Sequence, residues 1–222
     1  MAEQPAPDEP GTFGECTTTP ALLELVPIIA RLRRECAWKA AQTHRSLTRY
    51  LLEEAHEAVD AIDVGDPARV QDELGDVLLQ VYLHAAIAAE SGEFDIEDVA
   101  AGLRDKMIRR NPHVFGDEVE DDPARINERW QQIKASERRH GAGGPGPDTD
   151  LGTGIPQDLP VLLRALKMLE RLDRSGARAP DPVDDADFGA RLLGLVDEAR
   201  RAGVDPEQAL RDTLREVTGP TR

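Results

Sequence analysis

Long apolar runs are missing from this chain, and none approaches the ~18 consecutive residues needed to cross a bilayer. Cysteine is almost missing too. Cys16 and Cys36 are its two copies, with no Cys-x-x-Cys pair, which argues against a disulfide framework or a thiolate zinc site. Positive charge is in deficit, 27 Lys and Arg against 43 Asp and Glu for a net −16. That balance excludes an extended surface for nucleic acid or for an anionic membrane. Aromatic residues make up only 4%, and no alternating strand pattern occurs. The N-terminal "MAEQPAPDEPGTFGE" has no apolar core and does not read as a signal peptide. These absences predict a soluble, cytoplasmic protein with neither a membrane nor a nucleic-acid partner.

Ala, Leu, Glu and Arg are plentiful instead, and the apolar residues recur at helical spacing, so the expected class is all-α. Residues 1–19 read as a disordered acidic and proline-rich tail. Residues 20–140 read as one domain. From Ala21 a helical pattern runs to the region of Trp38, with Pro27 marking a kink or a late start. A polar break at Thr43–Arg45 precedes a helix over about 46–62. "DVGDPARV" then offers Asp66 as an N-cap and Pro67 at the first helical position. The next helix runs to about Glu90. Asp95 caps another that ends near Arg110, before Pro112, and a further helix covers about 124–139. Residues 141–157 are glycine-rich and read as a linker. Helical segments over about 158–174 and 186–218 complete the chain.

The stretch "LLEEAHEAVD" (51–60) sets four acids into an amphipathic helix, although like charges one turn apart repel. If the following turn is centred near Gly65, Glu57 stands level with Glu73 and Glu54 with Asp76. An antiparallel helical hairpin therefore gathers these four carboxylates in one groove. An oxygen-only set of this kind suits a hard cation, Mg²⁺ or Mn²⁺. The bland alternative is a solvated acidic face. Glu53-x-x-His56 also raises a di-iron carboxylate bundle, but the facing helix lacks a second Glu-x-x-His, and His84 lies too far along to serve.

Four motifs in order, "CAWKAAQTH" (36–44), Glu53-Glu54-x-x-Glu57 with Glu73-x-x-Asp76, "KMIRRNPHVFGD" (106–117) and "RWQQIKASER" (129–138), resemble the MazG family of nucleoside triphosphate pyrophosphohydrolases over roughly 21–140. Ala37 stands where that family usually has proline. The resemblance implies an all-α enzyme acting as a homodimer or higher homo-oligomer. It would hydrolyse NTPs or dNTPs, non-standard ones among them, to monophosphate and pyrophosphate by water attack at the α-phosphorus. Glu54, Glu57, Glu73 and Asp76 would hold Mg²⁺, with Mn²⁺ able to substitute. Glu53 would help orient or deprotonate the water, with Glu54 beside it. Arg69, Lys106, Arg110, Trp130 and Lys134 match the family's nucleotide contacts. Asn111, His113, Gln42 and His44 read as structural. The rival functions are a catalytically idle nucleotide-binding or dimerisation module and a pyrophosphatase restricted to dUTP or dCTP.

Residues 154–172 and 187–217 resemble parts of the second catalytic repeat that some family members carry. Where an active copy would show Glu-Leu-Gly-Asp, this chain has Asp187-Phe188-Gly189-Ala190, Glu216 replaces an expected Lys, and the Glu-Glu-x-x-Glu helix is missing. The expectation is a shortened, inactive repeat over 158–222; the alternative is an unrelated helical tail.

Overall fold

Thr43 opens the central element of the fold. Its hydroxyl accepts from the Ser46 amide at 3.2 Å while the Ser46 hydroxyl accepts from the Thr43 amide at 2.9 Å. This reciprocal cap satisfies two donors that a helix start leaves open. The break anticipated at Thr43–Arg45 is therefore the start of a helix, and α3 spans His44–Val64. In the computed structural model residues 20–140, 154–176 and 187–218 are described, and all their regular elements are helical. The expected tail over 1–19 and most of the expected linker fall outside the described residues.

Two compact units divide the chain at Asp121/Asp122. In the first, α1 (Pro20–Glu35) runs through Pro27 without interruption, and the short α2 (Ala37–Ala40) leads into α3. Gly65 ends α3 at φ 76°, a left-handed position that a residue with a Cβ adopts at a cost. Asp66 then caps α4 (Pro67–Glu90) by accepting from the Ala68 amide. The two-residue turn leaves α3 and α4 antiparallel and packed along their length. Leu47 of α3 and Leu83 of α4 are fully buried. With Ile29 and Tyr82 they form a core at the open end of the hairpin, where α1 also packs. The Tyr82 hydroxyl donates to the Leu22 carbonyl at 2.8 Å. Asp95 and Asp98 cap α5 (Ile96–Arg110), which packs on α4. Asn111 closes α5 by donating from Nδ2 to the Met107 carbonyl at 2.7 Å, and Pro112 starts the one-turn α6 (Pro112–Phe115).

The second unit contains α7 (Pro123–His140), α8 (Val161–Ser175), α9 (Phe188–Arg201) and α10 (Pro206–Thr218). Helix α8 packs on both α9 and α10, burying Leu169 and Val196. The single segment expected over 186–218 is in fact two helices. Gly203 at φ 73° breaks it, and Asp205 restarts it by accepting from the Glu207 and Gln208 amides. Among the described residues, no helix is long and apolar enough to cross a membrane.

Candidate metal centre

Burial is what turns the acidic face of α3 into a groove. Ala58 and Ala61 sink into the packing against α4; their small side chains let the backbones approach, and the carboxylates beside them are drawn to the seam. Carboxylate oxygens of Glu54, Glu57 and Glu73 all lie within 4.8 Å of one another. Among the described residues this is the one such cluster of metal-ligating side chains. It contains no histidine, and His56 is exposed on α3. Glu54 and Glu73 are half-buried, Glu57 open to solvent.

The electrostatics follow from that crowding. Glu54 is pushed above the usual carboxylate range, first by burial and then by the charges of Asp76, Glu57, Glu73 and Glu53, in that order. Asp76 thus stands outside the tightest group yet exerts the strongest repulsion on Glu54, in keeping with their level positions across the hairpin. Glu53 is exposed and acts on Glu54 least of the four. A set of oxygens that repel each other in a half-buried seam fits a hard divalent cation, which would relieve the repulsion and take oxygen ligands only.

The basic residues are more dispersed. Arg69 reaches Glu73 across one turn of α4, Nε to Oε1 3.6 Å, with Glu73 only 16% exposed. Lys106 is exposed and Arg110 half-buried one turn further on α5, within the same unit. Trp130 and Lys134 belong to α7 in the second unit, the ammonium lying 4.9 Å from the ring centroid.

Several polar residues hold the groove's supporting loop. Gln42 donates from Nε2 to the Trp38 carbonyl at 2.8 Å and accepts from the Ser46 hydroxyl at 2.8 Å. His44 and His84 stack at 5.0 Å between centroids, their Nδ1 atoms 2.7 Å apart. Burial and then the neighbouring His44 hold His84 below the usual imidazole range. Sequence reasoning overlooked Arg33. This arginine is only 8% exposed; it donates to the Lys39 and Gln42 carbonyls and forms a fork to Glu90, with Nε to Oε1 at 2.8 Å and Nη2 to Oε2 at 2.6 Å. Its partner lies 57 residues away, and no local spacing announces such a contact.

The profile of the MazG nucleotide pyrophosphohydrolase domain matches residues 42–115, a span that holds the whole hairpin. A nucleoside triphosphate pyrophosphohydrolase/pyrophosphatase MazG of Thermotoga maritima is 38% identical over 215 residues, covering 86% of this chain and 80% of that one. A nucleoside triphosphate pyrophosphohydrolase of Escherichia coli K12 is 38% identical over 186 residues, 82% of this chain and 68% of that one. An uncharacterized 26.1 kDa protein of Streptomyces cacaoi is 40% identical over 192 residues, 86% of this chain and 76% of that one.

Proposed function

Since this chain belongs to the MazG nucleotide pyrophosphohydrolase family and is a hydrolase of that kind, we propose that it cleaves nucleoside triphosphates to monophosphate and pyrophosphate with Mg²⁺ at the hairpin groove. The observation that carries this reading is the convergence of Glu54, Glu57 and Glu73 within 4.8 Å with the repulsion that lifts Glu54. Glu54, Glu57, Glu73 and Asp76 hold the cation; when bound, it supplies charge neutralisation across the phosphate oxygens. Mn²⁺ has the same preference for oxygen and can replace it.

The chain's own groups supply the rest. Glu53, exposed beside the cluster, orients the attacking water and takes its proton, assisted by Glu54. The water oxygen bonds to the α-phosphorus, the bond from that phosphorus to its bridging oxygen breaks, and pyrophosphate leaves with the electron pair. Positioning and charge compensation do most of the catalytic work in such a transfer. Arg69 is already within reach of Glu73 and is free to turn to the phosphate tail once a cation compensates that carboxylate. Lys106 and Arg110 contribute further cations from α5, and Trp130 and Lys134 are nucleotide contacts by their match to the family's motif. The enzyme works as a homodimer or higher homo-oligomer in the cytoplasm, clearing non-standard or surplus nucleotides, and residues 158–222 form a shortened, inactive second repeat.

The test is ion-exchange analysis of products from a panel of NTPs and dNTPs, with and without Mg²⁺. Metal-dependent monophosphate and pyrophosphate, without diphosphate, is the expected result. Diphosphate with orthophosphate would place the attack at another phosphorus and defeat the mechanism. Turnover of dUTP or dCTP alone would narrow the substrate class.

A further inference from the structure

Against a net charge of −16, the stretch from Arg31 to Arg49 carries six Lys and Arg and a single acid, Glu35. Two aromatic side chains meet at this basic island. Trp38 on α2 and Tyr50 on α3 pack edge to face, their centroids 5.7 Å apart and their planes at 77°. Each ring has a cation over it: the Lys39 ammonium lies 5.3 Å from the Trp38 centroid, and the Arg49 guanidinium lies 4.4 Å from that of Tyr50. Arg49 also donates to the Tyr50 hydroxyl.

Trp38 is 49% exposed, although the loop bearing it is held firmly. Arg33 binds the carbonyls of Lys39 and Gln42, and Gln42 binds that of Trp38. A large ring kept open on a braced loop is preorganised to receive a flat partner. Tyr50, half-buried against the Leu47 and Leu83 core, lies one helical turn before Glu54, so the two share a face of α3. A flat, neutral base tethered to an anionic phosphate chain fits such an open ring flanked by cations, if the phosphates lie on a cation in the groove one turn along α3.

We propose that Trp38 and Tyr50, with Lys39 and Arg49 beside them, form the platform on which the base of the substrate rests. The proposal rests on the triphosphate reading above and adds a specificity to it. Stacking uses the π-face that every base has and reads no hydrogen-bonding edge. The platform therefore accepts all bases and favours the larger purines.

Calorimetric titration of the full chain in Mg²⁺ tests this with two probes, non-hydrolysable α,β-methylene-ATP and inorganic tripolyphosphate. Wild type should bind the nucleotide on the order of tenfold more tightly than tripolyphosphate, the margin expected of one stacked base. Trp38→Ala should erase that margin and leave tripolyphosphate affinity as it was, and Trp38→Phe should restore most of it. A margin that survives in Trp38→Ala, or disappears only in Trp130→Ala, would overturn the proposal. So would an equal weakening of both probes, which marks a loop that has merely lost its structure, or the absence of a margin in wild type. Turnover of the same wild-type protein is read separately. A Trp38-dependent margin without turnover would defeat the pyrophosphohydrolase reading and uphold the platform.

Discussion

The hairpin of the first unit and the C-terminal helices of the second treat acidic residues in opposite ways. In α8–α10 several acids have arginines. Arg200 binds Asp197 at 2.7 Å and also pairs with Asp173, Arg201 pairs with Asp197, and Arg211 with Glu207. Asp187 spends its carboxylate on the Ala190 amide at the start of α9. In the α3–α4 groove four acids press on Glu54, and Arg69 is the cation that an ion pair brings to the cluster. A fold that must stand alone balances its charges. One that leaves them unbalanced in a half-buried seam gives up stability that a bound cation restores. The same contrast supports our proposal that 158–222 is an inactive repeat, since the segment Asp187–Ala190 is put to capping α9.

The sharpest break in that comparison would come from the groove. Glu57→Ala or Asp76→Ala should cut turnover by at least about a hundredfold, beyond the usual effect of a residue that only supports a metal ligand. Without metal, the same variants should melt no lower than wild type by circular dichroism, because repulsion has been removed. Near-normal activity in either would end the carboxylate-cage model. In the second unit Arg200→Met should do the reverse. It should cost about 1 kcal/mol in urea unfolding, since it removes the pairs to Asp173 and Asp197 and leaves Asp197, only 13% exposed in its side chain, to Arg201 alone.

Acid titration should divide two carboxylates of the first unit by sign. Glu54 is raised from 4.5, so its ionisation penalises the fold, and metal-free stability falls as pH climbs upward from about 4.5. Glu54→Gln should flatten that decline. Glu90 is lowered from 4.5, chiefly by its hydrogen bond from Arg33. Its contribution is present above that value and is lost as pH falls through the folded pKa. The melting difference between wild type and Glu90→Gln should therefore vanish in acid. Smaller effects complete the series. Lys106→Ala should raise KM severalfold with kcat little changed. Asp187→Ala should cost about 1 kcal/mol for a lost cap and leave turnover untouched.

Much of the fold could be read from residues whose chemistry is local. "DVGDP" contains both a left-handed stop and a capped restart, which fixes the turn and therefore the register that sets Glu57 against Glu73. The start of α3 was misjudged because Thr43 and Ser46 look like a polar break until their reciprocal cap is seen. The α9–α10 break escaped because apolar residues on either side of Gly203 keep a helical rhythm. At the site, spacing alone could suggest which carboxylates face each other and that Arg69 lies one turn from Glu73, but not which of the acids are buried. Nor could it reveal Trp38 meeting Tyr50, since their contact depends on the path of the Ala41–Thr43 loop.

The Arg33 fork has a consequence for how the protein assembles. Its two ends are 57 residues apart, so the α1–α3 loop cannot settle until the last turn of α4 has formed and docked. Closing so long a segment is an entropic cost met late, after the local hairpin has been made. The loop and the end of α4 should accordingly open as one unit, their amides exchanging with solvent together and ahead of those around Leu47 and Leu83.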